Sequence, residues 1–259
     1  MERRAVQALI RHIVGAVEAA PAFNEPFYHL VLNRIFPEDV YAAMMDLMPT
    51  AADYRALPGR RNVNIRADGS ATRVKIDLFP EYTRHLPPPH RALWSGIGRA
   101  LCSNEVKEAF IRRMAPGLER RFGPDFGSVD LYPIPMLTRD TSGYRIPEHT
   151  DTHWKGITVQ LYLPRDSSIK HVGTVFSERL PDGTFRRVTQ MSFEPNHGYA
   201  FAVSDNTWHS ADAVGSEVAS RDSILHTYFV DAGLLRFLRN RGKRIGNFIL
   251  NEVRHVTVG

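Results

Sequence analysis

The chain has 259 residues, 43% hydrophobic and 24% charged, the balance of an ordinary globular protein, which argues against extensive disorder. A formal charge of +5, with basic and acidic residues interspersed, does not describe a nucleic-acid surface, and the single cysteine, Cys102, excludes an intrachain disulfide and a secreted, disulfide-stapled fold. No stretch is long and apolar enough to span a bilayer, and Arg3, Arg4, Arg11 and His12 interrupt the segment where a signal-peptide core would lie, so a cytoplasmic protein without nucleic-acid or membrane partners is expected.

Ala5, Leu9, Ile10, Ile13, Val14 and Val17 recur at helical spacing and predict an amphipathic first helix. Pro26 to Phe36 reads as a strand, and Pro37-Glu38-Asp39 starts a short helix to about Met48. Asn62 to Phe79 alternates like a strand pair broken at the Asp68-Gly69 turn. Pro87-Pro88-Pro89 is read as a stop, followed by two helices, Arg91 to Cys102 and Ser103 to Phe122, with Ser103 as N-cap and Gly123-Pro124 as terminator.

After Pro124 short runs rich in Val, Ile, Tyr, Phe and Thr alternate with turn residues. Strands are expected at Val129 to Leu137, Arg145 to His149, Ile157 to Leu163, Gly173 to Ser177, Arg186 to Ser192, Gly198 to Val203 and Asp222 to Val230. A double-sheet jelly roll or a barrel accounts for so many short strands. A helix from Gly233 to Leu238 and a strand from Ile245 to Val258 would close the chain, and the basic run Arg236 to Arg244 reads as a solvated helix end. The organisation expected is one catalytic domain, 1–259: a helix-rich support with a few strands (1–124), a jelly-roll core (125–232) and a C-terminal helix and strand (233–259). The fold class is mostly β with flanking helices.

His149-Thr150-Asp151 is the centre of the functional reading. In a strand, residues 149 and 151 point to one side, so both can reach one ion. With the distal His209 they offer two imidazoles and a carboxylate, a set that leaves three positions of a six-coordinate metal open and suits non-haem Fe(II). Arg221-Asp222-Ser223 opens the last long strand, placing Arg221 and Ser223 on one face. A guanidinium with a hydroxyl beside it suits a carboxylate.

His-x-Asp, the distal His and Arg-x-Ser, in the context Tyr144-Arg145-Ile146-Pro147-Glu148-His149-Thr150-Asp151, then ITVQLYLP over residues 157–164 and Trp208-His209-Ser210, resemble the Fe(II)/2-oxoglutarate dioxygenase superfamily over about Ser128 to Val230. The resemblance implies a double-stranded β-helix with His149, Asp151 and His209 as iron ligands. It implies Arg221 on the distal carboxylate of 2-oxoglutarate, with Ser223 as the accompanying hydroxyl and Gln160 and Tyr162 as further polar residues of the co-substrate pocket. Fe(II), 2-oxoglutarate and O2 follow as cofactors, with ascorbate as a support of activity. Asp151 stands where the superfamily's halogenases carry a small residue, which favours hydroxylation.

Tyr144, Arg145, His153 and Trp208 are candidates for the substrate mouth. Other readings weighed were a metal-free sandwich, a zinc site with His153 as an extra ligand, and a non-catalytic jelly-roll binding module. His171, His197 and His226 are read as loop or satisfied, hydrogen-bonded core histidines rather than ligands. A small-molecule substrate, such as an amino acid, secondary metabolite or sugar, is expected over a protein or peptide.

Overall fold

A computed structural model describes residues 1–57, 64–231 and 242. The expected helix at Gly233 to Leu238, the strand at Ile245 to Val258 and most of the basic run lie outside the described residues. Among the described residues no helix is long and apolar enough to cross a membrane.

The N-terminal part supplies α1 (Arg3–Glu18), β1 (Ala22–Phe23), β2 (His29–Asn33), α2 (Glu38–Asp46), β3 (Arg55–Ala56), β4 (Arg73–Asp77), α3 (Pro88–Leu101), α4 (Asn104–Arg113) and α5 (Ala115–Phe122). Helix α1 buries Val6, Leu9, Ile10, Ile13 and Val17. Leu9, Ile10, Ile13 and Val17 form the buried face as expected; Val6 joins it, Val14 is half-buried and Ala5 is exposed. The proline run does not stop the chain but starts α3: Pro87 is the N-cap and Pro88 the first helical residue, positions where a missing N–H costs nothing. Ser103 caps α4, accepting from the Val106 amide at 3.3 Å. The expected single helix over 103–122 is two, α4 and α5, separated at Met114, because Pro116 cannot continue the α4 hydrogen-bond ladder. Gly123, at φ 80°, ends α5 as expected.

The β-rich part supplies β5 (Leu131–Asp140), β6 (Ile146–His149), β7 (Lys155–Tyr162), β8 (Thr174–Arg179), β9 (Phe185–Met191), β10 (His197–Ala202), β11 (His209–Ala211) and β12 (Arg221–Val230). Every strand expected there is present with shifted ends. The three-residue β11 was not expected, since it is too short to show a period. Two antiparallel sheets result: an eight-stranded one in the order β1-β2-β10-β7-β12-β5-β4-β3, and a four-stranded one in the order β6-β11-β8-β9. The N-terminal strands thus extend the large sheet at both edges.

The apolar pattern explains the layering. Strands β7 and β12 sit in the middle of the large sheet and are buried on both faces. On one face Ile157, Val159, Leu161, Ile224 and Tyr228 meet the helices through Leu9, Ile13, Trp94, Ile97 and Phe110. On the other, Tyr162 and Tyr199 meet Phe27, Phe176 and Phe193 in the space between the sheets. Helices, large sheet and small sheet therefore form three layers around two apolar cores, and the mouth of the inter-sheet space holds the polar residues described next.

Candidate metal and carboxylate site

Strands β6 and β11 pair so that His149 and His209 stand opposite each other, which brings their ring centroids to 4.2 Å. Asp151 follows two residues after His149, beyond the end of β6. One donor atom from each of the three residues lies within 4.8 Å of the other two, a spacing a single ion can bridge. In each histidine Nδ1 faces a backbone carbonyl, Pro147 at 3.0 Å for His149 and Thr207 at 2.9 Å for His209. A carbonyl only accepts, so Nδ1 carries the proton and Nε2 keeps its lone pair for a metal.

The protonation states agree with that role. Burial pushes the His209 imidazole down to about 4, and burial also lowers His149, so both rings are neutral at pH 7. Burial alone would raise the Asp151 carboxyl. The Lys155 ammonium at 2.6 Å and the Thr158 hydroxyl at 2.6 Å, with His209 nearby, hold it instead well below the usual carboxylate range. Two neutral imidazoles and an ionised carboxylate are the donor forms that Fe(II) takes up.

These three residues line a cavity of 130 Å³ together with Arg73, Tyr144, Lys155, Thr158, Gln160, Tyr199 and Arg221. Arg221 is almost wholly buried. Its Nη1 donates to Asp140 at 2.8 Å, its Nε to the Val172 carbonyl at 2.7 Å and its Nη2 to the Thr174 hydroxyl at 3.2 Å. These bonds occupy three of the five N–H groups of the guanidinium. Asp140 also accepts from Arg73, at 2.5 and 2.8 Å. Arg73, Asp140 and Arg221 are direct partners across β4, β5 and β12, and this row of two cations and one anion leaves a net positive charge at the cavity wall. Unpaired buried charge is costly, and a carboxylate is the group that would balance it.

The other expected site residues divide. Gln160 lines the cavity, held by Tyr199, whose hydroxyl donates to Gln160 Oε1 at 2.8 Å. Ser223 lies on the same face as Arg221 but does not line the cavity. Its Oγ sits 3.0 Å from the Thr138 hydroxyl and accepts from Gln160 Nε2 at 3.1 Å, so it fixes Gln160. Tyr162 lies deeper: its hydroxyl accepts from the Thr174 amide at 3.0 Å and its ring stands under Arg221, with 5.8 Å from guanidinium carbon to ring centroid. Tyr144 lines the cavity, with Arg73 stacked on it at 4.2 Å.

Two expected mouth residues, Arg145 and Trp208, stand away from the cavity, and the third, His153, lines a neighbouring cleft. Arg145 is exposed, because its neighbour Tyr144 takes the inward direction. Trp208 packs against Phe185 at 4.9 Å with Arg179 over its ring; alternation along the chain turns it outward when His209 turns in. His153 is exposed, lies tilted against Trp154 with ring centroids 4.1 Å apart and is absent from the donor cluster. It lines a second, wider cleft of 720 Å³ with Arg120, Arg121, Thr150, Asp151, Thr152 and Val203 to Asn206. His171 is exposed and His197 opens β10 beside Glu194 at 3.4 Å, while His226 is fully buried but, unlike the satisfied core histidine expected, has no hydrogen-bond partner on either ring nitrogen.

Sequence reasoning missed the roles of Arg73 and Asp140, which are 67 residues apart and carry no local motif. Charged residues inside runs that otherwise read as strands were the available signal.

No family model and no curated protein sequence matches the chain. Its structure does match solved structures. A prolyl hydroxylase from Trichoplax adhaerens, solved with a peptide fragment of hypoxia-inducible factor, superposes with a TM-score of 0.50 at 11% identity, covering 89% of this chain and 94% of that one. A prolyl 4-hydroxylase from Phytophthora capsici gives 0.50 at 14% identity, over 89% and 67%. The chain has the fold of these hydroxylases. That fold is the double-stranded β-helix that the motifs led us to expect, with β5, β12, β7 and β10 in the large sheet and β6, β11, β8 and β9 in the small one.

Proposed function

We propose that the protein is an Fe(II)- and 2-oxoglutarate-dependent oxygenase that hydroxylates an unactivated C–H bond of a small molecule, and that residues 1–259 form one catalytic domain. The observation that carries this reading is one cavity with a His-His-Asp donor cluster at one end and the Arg73-Asp140-Arg221 row at its wall. A dicarboxylate that offers one end to a metal and the other to a guanidinium fits that pair of features. When bound, the iron with its co-substrate and O2 would convert 2-oxoglutarate to succinate and CO2 and place the second oxygen atom on the substrate carbon.

The chain's own residues would do the rest. His149, Asp151 and His209 would hold the ion, oriented by Pro147, Thr207 and Thr158. Arg221, kept rigid by Asp140 and Thr174, would bind the distal carboxylate by charge-assisted hydrogen bonds. Gln160, fixed by Tyr199 and Ser223, would offer polar contact along the co-substrate. The cleft of 720 Å³ that shares Asp151 with the cavity has the size of a small-molecule site, which favours that class over a peptide.

The test is succinate formation from 2-oxoglutarate under air with added Fe(II) and ascorbate, first without and then with panels of small molecules and of peptides. Turnover that a chelator stops, ferrous iron restores and small molecules stimulate is the expected result. Restoration by zinc alone would overturn the oxygenase reading, and stimulation by peptides alone would overturn the substrate class.

A further inference from the structure

Lys155 has no place in the co-substrate scheme above, yet the fold aims it at the metal site. Strand β7 pairs residue by residue with β12 up to Ile157, opposite Tyr228; the next pair is Lys155 with Phe229, so Gly156 is an extra residue and the strand bulges there. A bulge breaks the alternation of faces. Lys155 therefore turns to the side of Thr158 instead of away from it, and both donate to Asp151, one to each carboxylate oxygen. Gly156 permits the bulge to sit tight against the sheet, since a Cβ there would lie 2.5 Å from Leu131 Cδ2.

We propose that Lys155 is a displaceable counter-ion of the iron site, which holds Asp151 while the metal is absent and links metal binding to co-substrate binding. This rests on the function proposed above. An ion bridging the three donors would stand beside the carboxylate that Lys155 contacts at 2.6 Å. In a partly dry cavity the repulsion between a divalent ion and an ammonium is far stronger than in water, so the two cations oppose each other. The four-carbon stem lets the ammonium move, and it lines the cavity proposed for the dicarboxylate. An anion arriving there relieves the repulsion, so each ligand strengthens the binding of the other by the same factor.

The inference is tested on the full chain by anaerobic titration with Co(II), followed by its visible absorption, with and without 2-oxoglutarate, in wild type, Lys155→Met and Lys155→Arg. Without 2-oxoglutarate, Lys155→Met is expected to bind Co(II) about tenfold more tightly than wild type, a coupling of ordinary size. Adding 2-oxoglutarate should then strengthen metal binding more in wild type than in the Met variant, and Lys155→Arg should follow wild type. A lysine that merely props Asp151 would give the opposite sign, weaker Co(II) binding in Lys155→Met, and that result or an unchanged affinity overturns the inference. If the Met variant does not fold, Lys155→Gln, which keeps a donor without the charge, is expected to shift the same way. Co(II) binding that His209→Ala does not weaken would sink the iron-site reading and this inference with it, whereas His209-dependent binding without a gain in Lys155→Met sinks the inference alone.

Discussion

Asp140 is the residue on which the carboxylate end of the site turns, because two buried guanidinium groups depend on it. Asp140→Ala would leave Arg73 and Arg221 facing each other without their anion, and losing one partner of a buried charge set costs roughly 3 to 5 kcal/mol. A drop of that order in urea-denaturation free energy is the expected outcome. Arg221→Leu is gentler on the fold, since Arg73 still holds Asp140, but it removes the donors proposed for the co-substrate. Its 2-oxoglutarate affinity should fall by about two to three orders of magnitude at 1.4 kcal/mol per tenfold, with Fe(II) affinity little changed. Anaerobic titration of the metal-free variant with Fe(II), and then of the loaded variant with 2-oxoglutarate, measures both, and equal 2-oxoglutarate affinities would show that Arg221 serves only its salt bridge. Asp151→Ala should abolish turnover and metal binding while leaving circular dichroism unchanged; a folded variant that still turned over would remove Asp151 from the ligand set. The His149-x-Asp151 spacing, His209 and Arg221 were singled out by short local motifs, and the structure brings all four to one cavity. Asp140 and Arg73 were not legible in the sequence, because their pairing depends on which strands become neighbours.

Strand β12 shows how one element serves two layers. Arg221 and Leu225 face the cavity, while Ile224 and Tyr228 pack in the helix-facing core. On that second face His226 is fully buried, lies 4.5 Å from the Tyr228 ring, and has no hydrogen-bond partner on either ring nitrogen. Burial pushes its pKa down to about 3. Between that value and the unfolded value near 6.5, the unfolded chain binds a proton the native one refuses, so stability falls as pH falls through this window. At pH 4.5 the metal-free protein should have lost about 2 to 3 kcal/mol from this group alone. His209 titrates in the same direction, so both contribute. Urea unfolding of wild type and His226→Phe at pH 7 and 4.5 checks it: the Phe variant should lose less on acidification, and an equal loss would remove His226 as a cause. Helix α3 offers a packing test at the same scale. A Cβ at Gly98 would lie 1.6 Å from the Leu78 carbonyl oxygen, a backbone atom that cannot swing aside. Gly98→Ala should therefore push α3 off the sheet, destabilising by about 1 to 3 kcal/mol, and an unchanged thermal midpoint would contradict that close approach.

At the scale of the whole molecule, the site is assembled from strands of both sheets, with β6, β11, β12, β5 and β4 each contributing a side chain. Ligands that bind only the assembled form stabilise all of it. An anaerobic thermal melt should shift upward with Fe(II) and again with 2-oxoglutarate, the second step amounting to about 2.7 kcal/mol at a hundredfold excess over Kd. Arg221→Leu should lose the second shift and keep the first, whereas loss of both would mean that its role is structural.

By itself the sequence determined the class of the fold and marked the residues proposed to hold the metal. Strand periodicity, turn residues and the His-x-Asp spacing are local properties, and they stand whatever the rest of the chain does. Helix limits near prolines were less legible, because Pro87 to Pro89 suit a helix start as well as a stop, and only packing of α3 on the sheet selects between them. Tertiary structure alone decided the rest. It placed β5 between β12 and β4, which gives Arg221 a carboxylate partner in Asp140 and a second arginine in Arg73. It turned Ser223 toward Gln160 and Trp208 away from the His149-Asp151-His209 group, and it made the bulge at Gly156 that directs Lys155 to Asp151. All of these depend on register between strands far apart in the chain, and register is fixed by the burial of whole faces rather than by any residue's neighbours in sequence.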